Sequence, residues 1–225
     1  MPRLQGIGAC VFDAYGTLFD IHSPTARIAD EIGGKAQALS DLWRLKQLQY
    51  TWLRSLMRVH VDFWQVTGEA LDFALAVHAI DNPALREKLI ELYLTLDAYP
   101  DARDTLAALK QRGYMTAILS NGSPRMLQAA VESSGLAAHL DAVLSIEEAG
   151  VFKPDPSVYR LAVDRLKVSA GQICFVSANA WDAAGGAHFG YQVVHLNRFS
   201  QPPERLPGKP AAVVRGLADL PALLD

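Results

Sequence analysis

The sequence predicts an α/β protein in which a parallel-sheet core carries an inserted all-helical domain, and three observations predict it. From residue 101 onward, short apolar runs ending in small or polar residues alternate with longer helical stretches, the signature of βαβ units. Residues 21–97 break that alternation and contain no convincing β-rich run. The 225 residues, at ~150 per domain, make about one and a half domains, which suits one core with a sizeable insertion. The predicted division is a core of residues 1–20 and 98–225 and a helical lid of residues 21–97.

The first strand is Gly8–Phe12, an apolar run that stops at Asp13. Within the insertion, the longest helix runs from Lys35 to about His60. Its apolar residues, among them Leu39, Trp43, Leu45, Leu53 and Leu56, exceed one stripe, so it is expected to bury two sides. Further helices fit Glu69–His78 and, opened by Asp81-Asn82-Pro83, Ala84–Leu96. Tyr99-Pro100-Asp101 supplies a break and an N-cap before the alternation resumes. Strands are then predicted at Met115–Leu119, Ala142–Leu144, Ile173–Val176 and Gln192–His195, with helices near 101–112, 123–134, 155–167 and 180–188. Gly113, Gly135, Gly171 and Gly190 stand near the helix ends, where a glycine can take positive φ. Four prolines between Ser200 and Pro210 read as an extended strap before a short terminal strand and helix.

Half of the residues are hydrophobic and 20% are charged, which excludes a disordered chain. The net charge of -3, without a long block of either sign, offers no footprint for nucleic acid or an anionic membrane, so a small-molecule partner is expected. No run approaches the ~20 apolar residues of a membrane span, and Ile7–Phe12 is too short for a signal-peptide core, so the expected location is the cytoplasm. Cys10 and Cys174 each sit inside an apolar run and read as buried thiols of a reducing compartment. If their strands are neighbours, the two thiols lie close together. The six histidines show no ligand spacing, which argues against zinc.

In an open parallel sheet, ligands collect beyond the carboxyl ends of the strands. Asp13-Ala14-Tyr15-Gly16-Thr17 follows the first strand and Ser120-Asn121-Gly122 the second. Lys153-Pro154 follows the third, and Ser177-Ala178-Asn179-Ala180-Trp181-Asp182 the fourth. Alone, Asp13 could be a nucleophile, a metal ligand or a cap for the next turn. In company, Lys153 could hold Asp13 ionised while Asp182 balances the lysine, an arrangement that a cap does not need. Tyr159, one turn into a helix, and Trp181 are further candidates. Arg44 stands out because its i, i+4 row runs through Leu48 and Trp52, an apolar path for an arginine.

These segments resemble the four motifs of the haloacid dehalogenase superfamily, whose core is a Rossmann-like sheet with a helical cap inserted after strand one. The likeness spans essentially the whole chain. Phosphatases of that superfamily carry a second aspartate as general acid, and Tyr15 stands in its place here. A halide leaves without a proton, so a carbon–halogen hydrolase has no use for that acid. The finer resemblance is to the (S)-2-haloacid dehalogenases. Trp43 to Arg54 is similar to their cap helix, with Arg44 at the position of the halide-contacting arginine, while Lys153–Tyr159 and Ser177–Asp182 are similar to their third and fourth motifs.

The resemblance implies a cofactor-free, metal-independent hydrolase. Asp13 would attack C2 of a short (S)-2-haloalkanoic acid, and water would then open the Asp13 ester to release an (R)-2-hydroxy acid. Thr17 and Ser177 would orient Asp13, and Lys153 would keep it ionised. Asn179 and Asp182 with Lys153 would manage the water, with Tyr159 beside them. Ser120, Asn121 and the N–H groups of Ala14 and Tyr15 would hold the substrate, Arg44 with the Asn121 amide would receive the halide, and Trp181 would line a dry pocket. A homodimer packed partly through the long cap helix is also implied. The alternatives are a Mg-dependent phosphatase of the same superfamily and a catalytically silent member that binds small anions.

Overall fold

In the computed structural model, which describes residues 3–225, the strands are β1 (Ala9–Phe12), β2 (Met115–Ser120), β3 (Ala142–Ser145), β4 (Ile173–Ser177), β5 (Gln192–Leu196) and β6 (Ala212–Val214). They form one parallel sheet in the order β3-β2-β1-β4-β5-β6. Every residue of β1 and β4 is buried, as central parallel strands covered on both faces require, and this is why their apolar runs are unbroken. β1 pairs with β2 on one side and β4 on the other, so the strand order reverses between β1 and β4. A crevice opens at the carboxyl ends of strands at such a point.

Between β1 and β2 the named elements are all helical: α1 (Ser23–Arg27), α2 (Ala29–Ile32), α3 (Ala36–Met57), α4 (Phe63–Val77) and α5 (Pro83–Leu92), with 3-10 turns at Gly33–Lys35 and Tyr93–Thr95. The chain leaves and re-enters the sheet side by side. Asp20 N–H donates to the Asp97 carbonyl at 2.8 Å and Tyr99 N–H to the Leu18 carbonyl at 2.9 Å, with Phe19 and Ala98 bridged antiparallel. After β2 the sheet is flanked by α7 (Pro124–Ser133), α8 (Pro156–Leu166) and α9 (Ala180–Phe189), and before it by α6 (Ala102–Gln111).

Several expectations need correction. α4 begins six residues before Glu69, because the Asp62 carboxylate accepts the Gln65 N–H at 2.7 Å and caps the first turn. The helix expected over Ala84–Leu96 ends at Leu92 and tightens into a 3-10 turn. Asp101 does not cap α6 with its side chain. Its carboxylate accepts both Nη atoms of Arg198 at 2.9 Å and the Leu217 N–H at 2.7 Å, and a charged, bidentate partner outcompetes a helix end. Gly171 lies in a 3-10 turn without positive φ, unlike Gly113, Gly135 and Gly190. The terminal helix is 3-10, Leu217–Leu223, with Pro221 inside it.

Helix α3 buries one stripe only, Leu39, Ser40, Trp43, Gln47 and Thr51, and leaves Leu45, Leu53, Leu56 and Met57 exposed. Beneath the crevice, Cys10 and Cys174 are register partners on β1 and β4 and both are fully buried. The hydrogen bond with Cys10, together with burial, pushes the Cys174 thiol well above its ordinary value, so it stays protonated. Among the described residues, no helix is long and apolar enough to cross a membrane.

Candidate active site

Asp13 follows the last residue of β1, its N–H fixed to the Val176 carbonyl of β4 at 2.9 Å. Both carboxylate oxygens face donors. Oδ2 accepts from Thr17 Oγ1 at 3.1 Å and from Asn179 Nδ2 at 2.7 Å, and Oδ1 from Lys153 Nζ at 3.2 Å. Thr17 reaches back because Gly16 takes a φ of 89°, in the left-handed region open to glycine. The Thr17 hydroxyl in turn accepts the Ala178 N–H at 2.8 Å, which ties the β1 loop to the β4 loop. A carboxylate that is 5% exposed and held by three donors is desolvated, oriented and charge-compensated, an arrangement that is chemically open to nucleophilic attack.

Lys153 Nζ bridges Asp13 to Asp182 Oδ2 at 2.8 Å, and both it and Asp182 are almost fully buried. Burial works against the lysine's charge, but the carboxylates of Asp13 and Asp182 outweigh it and hold Lys153 above the ordinary lysine value. Burial pushes Asp182 up to about 6, opposed by Lys153. Tyr159 donates its hydroxyl to Asp182 Oδ1 at 2.8 Å, and burial raises its pKa, so it remains a donor. Gly185 makes this possible: a Cβ there would stand 2.5 Å from the Tyr159 hydroxyl and 2.8 Å from Pro154 Cβ.

From the helical insertion, Arg44 of α3 donates through Nη2 to Asn179 Oδ1 at 3.1 Å and approaches the Tyr15 carbonyl at 3.5 Å. The Tyr15 side chain lies 5.5 Å from the Phe63 ring and 5.7 Å from the Tyr93 ring, with its hydroxyl buried and unpartnered. Burial raises its pKa well above the usual phenol range, so it offers no anionic ligand and a very weak acid. Among the described residues, no group of three His, Cys, Asp or Glu side chains stands where it could hold a metal ion.

The structure thus joins Asp13, Thr17, Lys153, Tyr159, Asn179, Asp182 and Arg44 in one hydrogen-bonded network. Ser177 departs from its expected contact with Asp13. Its hydroxyl accepts the Asn179 N–H at 3.1 Å, because the turn opening α9 brings that donor closer, and so it shapes the loop that presents Asn179. Ser120 likewise accepts the Gly122 N–H at 3.1 Å, and Asn121 Oδ1 accepts the Lys153 N–H at 3.0 Å. Trp181 stands edge-on to Trp52 of α3 with ring centres 5.4 Å apart, and lines an apolar crevice with Pro154, Tyr159 and Leu206. The N–H groups of Ala14 and Tyr15 donate to no acceptor among the described residues.

Sequence reasoning missed Gln47, Thr67 and Tyr93. Arg44 Nη1 donates to Gln47 Oε1 at 2.7 Å, and Gln47 in turn meets Thr67 and Tyr93. The available signal was a glutamine on the buried stripe, four residues after Trp43 and four before Thr51.

A family model for haloacid dehalogenase-like hydrolases matches residues 7–190. The (S)-2-haloacid dehalogenase 4A of Burkholderia cepacia is 52% identical over 202 residues, which are 89% of this chain and 87% of that one. A crystal structure of a dehalogenase with an intermediate complex superposes with a TM-score of 0.96 at 48% identity, over 97% of both chains. The L-2-haloacid dehalogenase of Xanthobacter autotrophicus with chloropropionic acid covalently bound gives a TM-score of 0.91 at 37% identity, over 96% of this chain and 98% of that one. A tyrosine in place of a second aspartate, an arginine lowered onto the site by the insertion and identity of this extent lead to one conclusion: the chain belongs to the (S)-2-haloacid dehalogenase family of the haloacid dehalogenase-like hydrolases.

Proposed function

We propose that the protein hydrolyses short (S)-2-haloalkanoic acids to (R)-2-hydroxyalkanoic acids through an ester on Asp13. The observation that carries this reading is the Asp13 carboxylate itself, buried, held by three donors, and faced by Tyr15 where a phosphatase needs a proton donor. In the first step an Asp13 oxygen attacks C2 from the side opposite the halogen; the carbon–oxygen bond forms, the carbon–halogen bond breaks, and halide leaves with the bonding pair. The carbon inverts. In the second step water adds to the ester carbonyl of Asp13 and gives a proton to the Asp182 carboxylate, with Asn179 and Lys153 positioning the groups; the ester carbon–oxygen bond breaks, the departing alkoxide takes up that proton as the 2-hydroxy acid, and the Asp13 carboxylate is restored. The covalently bound chloropropionic acid of the Xanthobacter enzyme supports an ester route.

Substrate carboxylate and Asp13 are both anionic, so donors must keep them apart in attack geometry. The free N–H groups of Ala14 and Tyr15, with Ser120 and Asn121, serve there. Residues 21–97 act as a cap, and Arg44 on its α3 stabilises the growing negative charge on the halogen in a site where excluded water strengthens the contact. The enzyme is cytoplasmic, in keeping with its two free, adjacent, buried thiols. It is a homodimer joined through the exposed apolar residues of α3.

The deciding assay measures free halide from (S)- and (R)-2-chloropropionate, with and without EDTA. Release confined to the (S) acid and indifferent to EDTA is expected, and EDTA-sensitive phosphate release from an aryl phosphate in its place overturns the reading. For assembly, gel filtration should give a dimer for the native chain and a monomer for Leu53→Glu/Leu56→Glu. A native chain that elutes as a monomer removes the dimer.

A further inference from the structure

We infer that Gln47 is a positioning residue for the halide step, holding Arg44 in place through a polar relay that runs across the buried side of α3. The inference rests on the reading of Arg44 as the group that receives the halogen's charge. Gln47 is 1% exposed, and a buried amide must have its partners. Thr67 of α4 donates its hydroxyl to the Phe63 carbonyl at 2.6 Å, so its oxygen is free to accept Gln47 Nε2 at 2.8 Å. That contact fixes which way the amide points. Oε1 then faces Arg44 Nη1 at 2.7 Å, within reach also of the Tyr93 hydroxyl at 3.2 Å.

Donation runs outward from Arg44 in both directions. Thr67 gives to Phe63, Gln47 to Thr67, Arg44 to Gln47 and to Asn179, and Asn179 Nδ2 to Asp13 Oδ2. Arg44 thereby settles the orientation of the Asn179 amide, with Oδ1 toward the guanidinium and Nδ2 toward the nucleophile. An arginine carries five donors on a long, mobile stem, and without a fixed acceptor on the cap side the guanidinium is free to turn away from the leaving atom. Gln47 does not touch the reacting atoms; it acts through Arg44.

The test is a double-mutant cycle on kcat and KM with (S)-2-chloro- and (S)-2-bromopropionate, alongside thermal melting. Gln47→Met keeps the volume and removes the acceptor. It is expected to lower kcat on the chloro acid about tenfold, with KM within about twofold, the scale of one charge-assisted contact made in the transition state. The loss on the bromo acid is smaller, because bromide leaves with less help. Gln47→Glu restores most of the turnover, since its carboxylate still accepts from Arg44 and from Tyr93. In an Arg44→Ala background Gln47→Met costs less than about twofold, as expected for residues acting as a unit. Should Gln47→Met fold poorly, Thr67→Val, which preserves shape and removes the acceptor for Nε2, must show the same halogen dependence. An equal fold-loss with and without Arg44, or a loss identical for both halogens, overturns the role of Gln47 alone. An Arg44→Ala variant with unchanged turnover removes Arg44 from the halide step and the inference with it.

Discussion

Asp13→Asn is expected to abolish halide release, by about 10⁴-fold or more, the scale seen when a catalytic nucleophile is removed. The amide is nearly isosteric and its carbonyl can still accept from Thr17 and Asn179, so the shape of the loop survives. Its Nδ2 would then face Lys153 Nζ, 3.2 Å from the present Oδ1, placing donor against donor. Lys153 retains Asp182 as counter-charge at 2.8 Å, so the fold is kept and the loss is chemical. Thermal melting near that of the native chain, together with the loss of turnover, separates this from misfolding. The ester route has its own readout. A single turnover in ¹⁸O-water with excess enzyme should place the label in the Asp13 carboxylate, because water adds to the ester carbonyl. Label found directly in the product means that water attacks the carbon, and the ester is sunk.

The sheet was legible because β1 and β4 are covered on both faces, which forces unbroken apolar runs, and because each run stops where the chain meets the crevice at Asp13 and just before Ser177. The same logic exposed most of the site, since polar residues just past buried strands have few reasons to be there. What the sequence hid were choices between equally near partners. Asp101 reads as a cap by its place before α6, yet it pairs with Arg198, 97 residues away in sequence. Ser177 sits at the strand end like Asp13 but turns to the Asn179 backbone, a local contact that no spacing distinguishes from a longer one. Gln47 was hidden for a different reason. On an amphipathic helix a glutamine is ordinarily solvated, and only the position of α4 and Tyr93 shows that this one faces inward. The exposed leucines of α3 were legible as surplus, and the fold leaves Leu45, Leu53 and Leu56 on its surface.

Lys153→Met is expected to remove activity and stability together. The lysine is 1% exposed and stands between two carboxylates that share almost no water, so its loss leaves Asp13 and Asp182 buried without a cation. Breaking a buried ion pair from one side costs about 3–5 kcal/mol. The deficit should depend on pH. Asp182 is already raised from 3.8 to about 6 by burial. An acid raised in the folded state binds more protons folded than unfolded, so its contribution to stability declines as pH climbs through that window. Without Lys153 the window extends upward, because the positive charge that holds Asp182 down is gone. Lys153 has the opposite bearing: raised in the fold from 10.5, it contributes fully below that value, so the native chain keeps its benefit at neutral pH. The variant should therefore be weakest against the native chain at pH 8 and recover part of the difference at pH 5, where Asp182 takes a proton. Urea unfolding at the two pH values measures this. Adding Asp182→Asn to Lys153→Met removes one of the stranded charges and should restore stability at pH 8 without restoring halide release. A deficit equal at both pH values, or a double variant no more stable than the single one, would mean that the lysine holds the fold by packing rather than by charge.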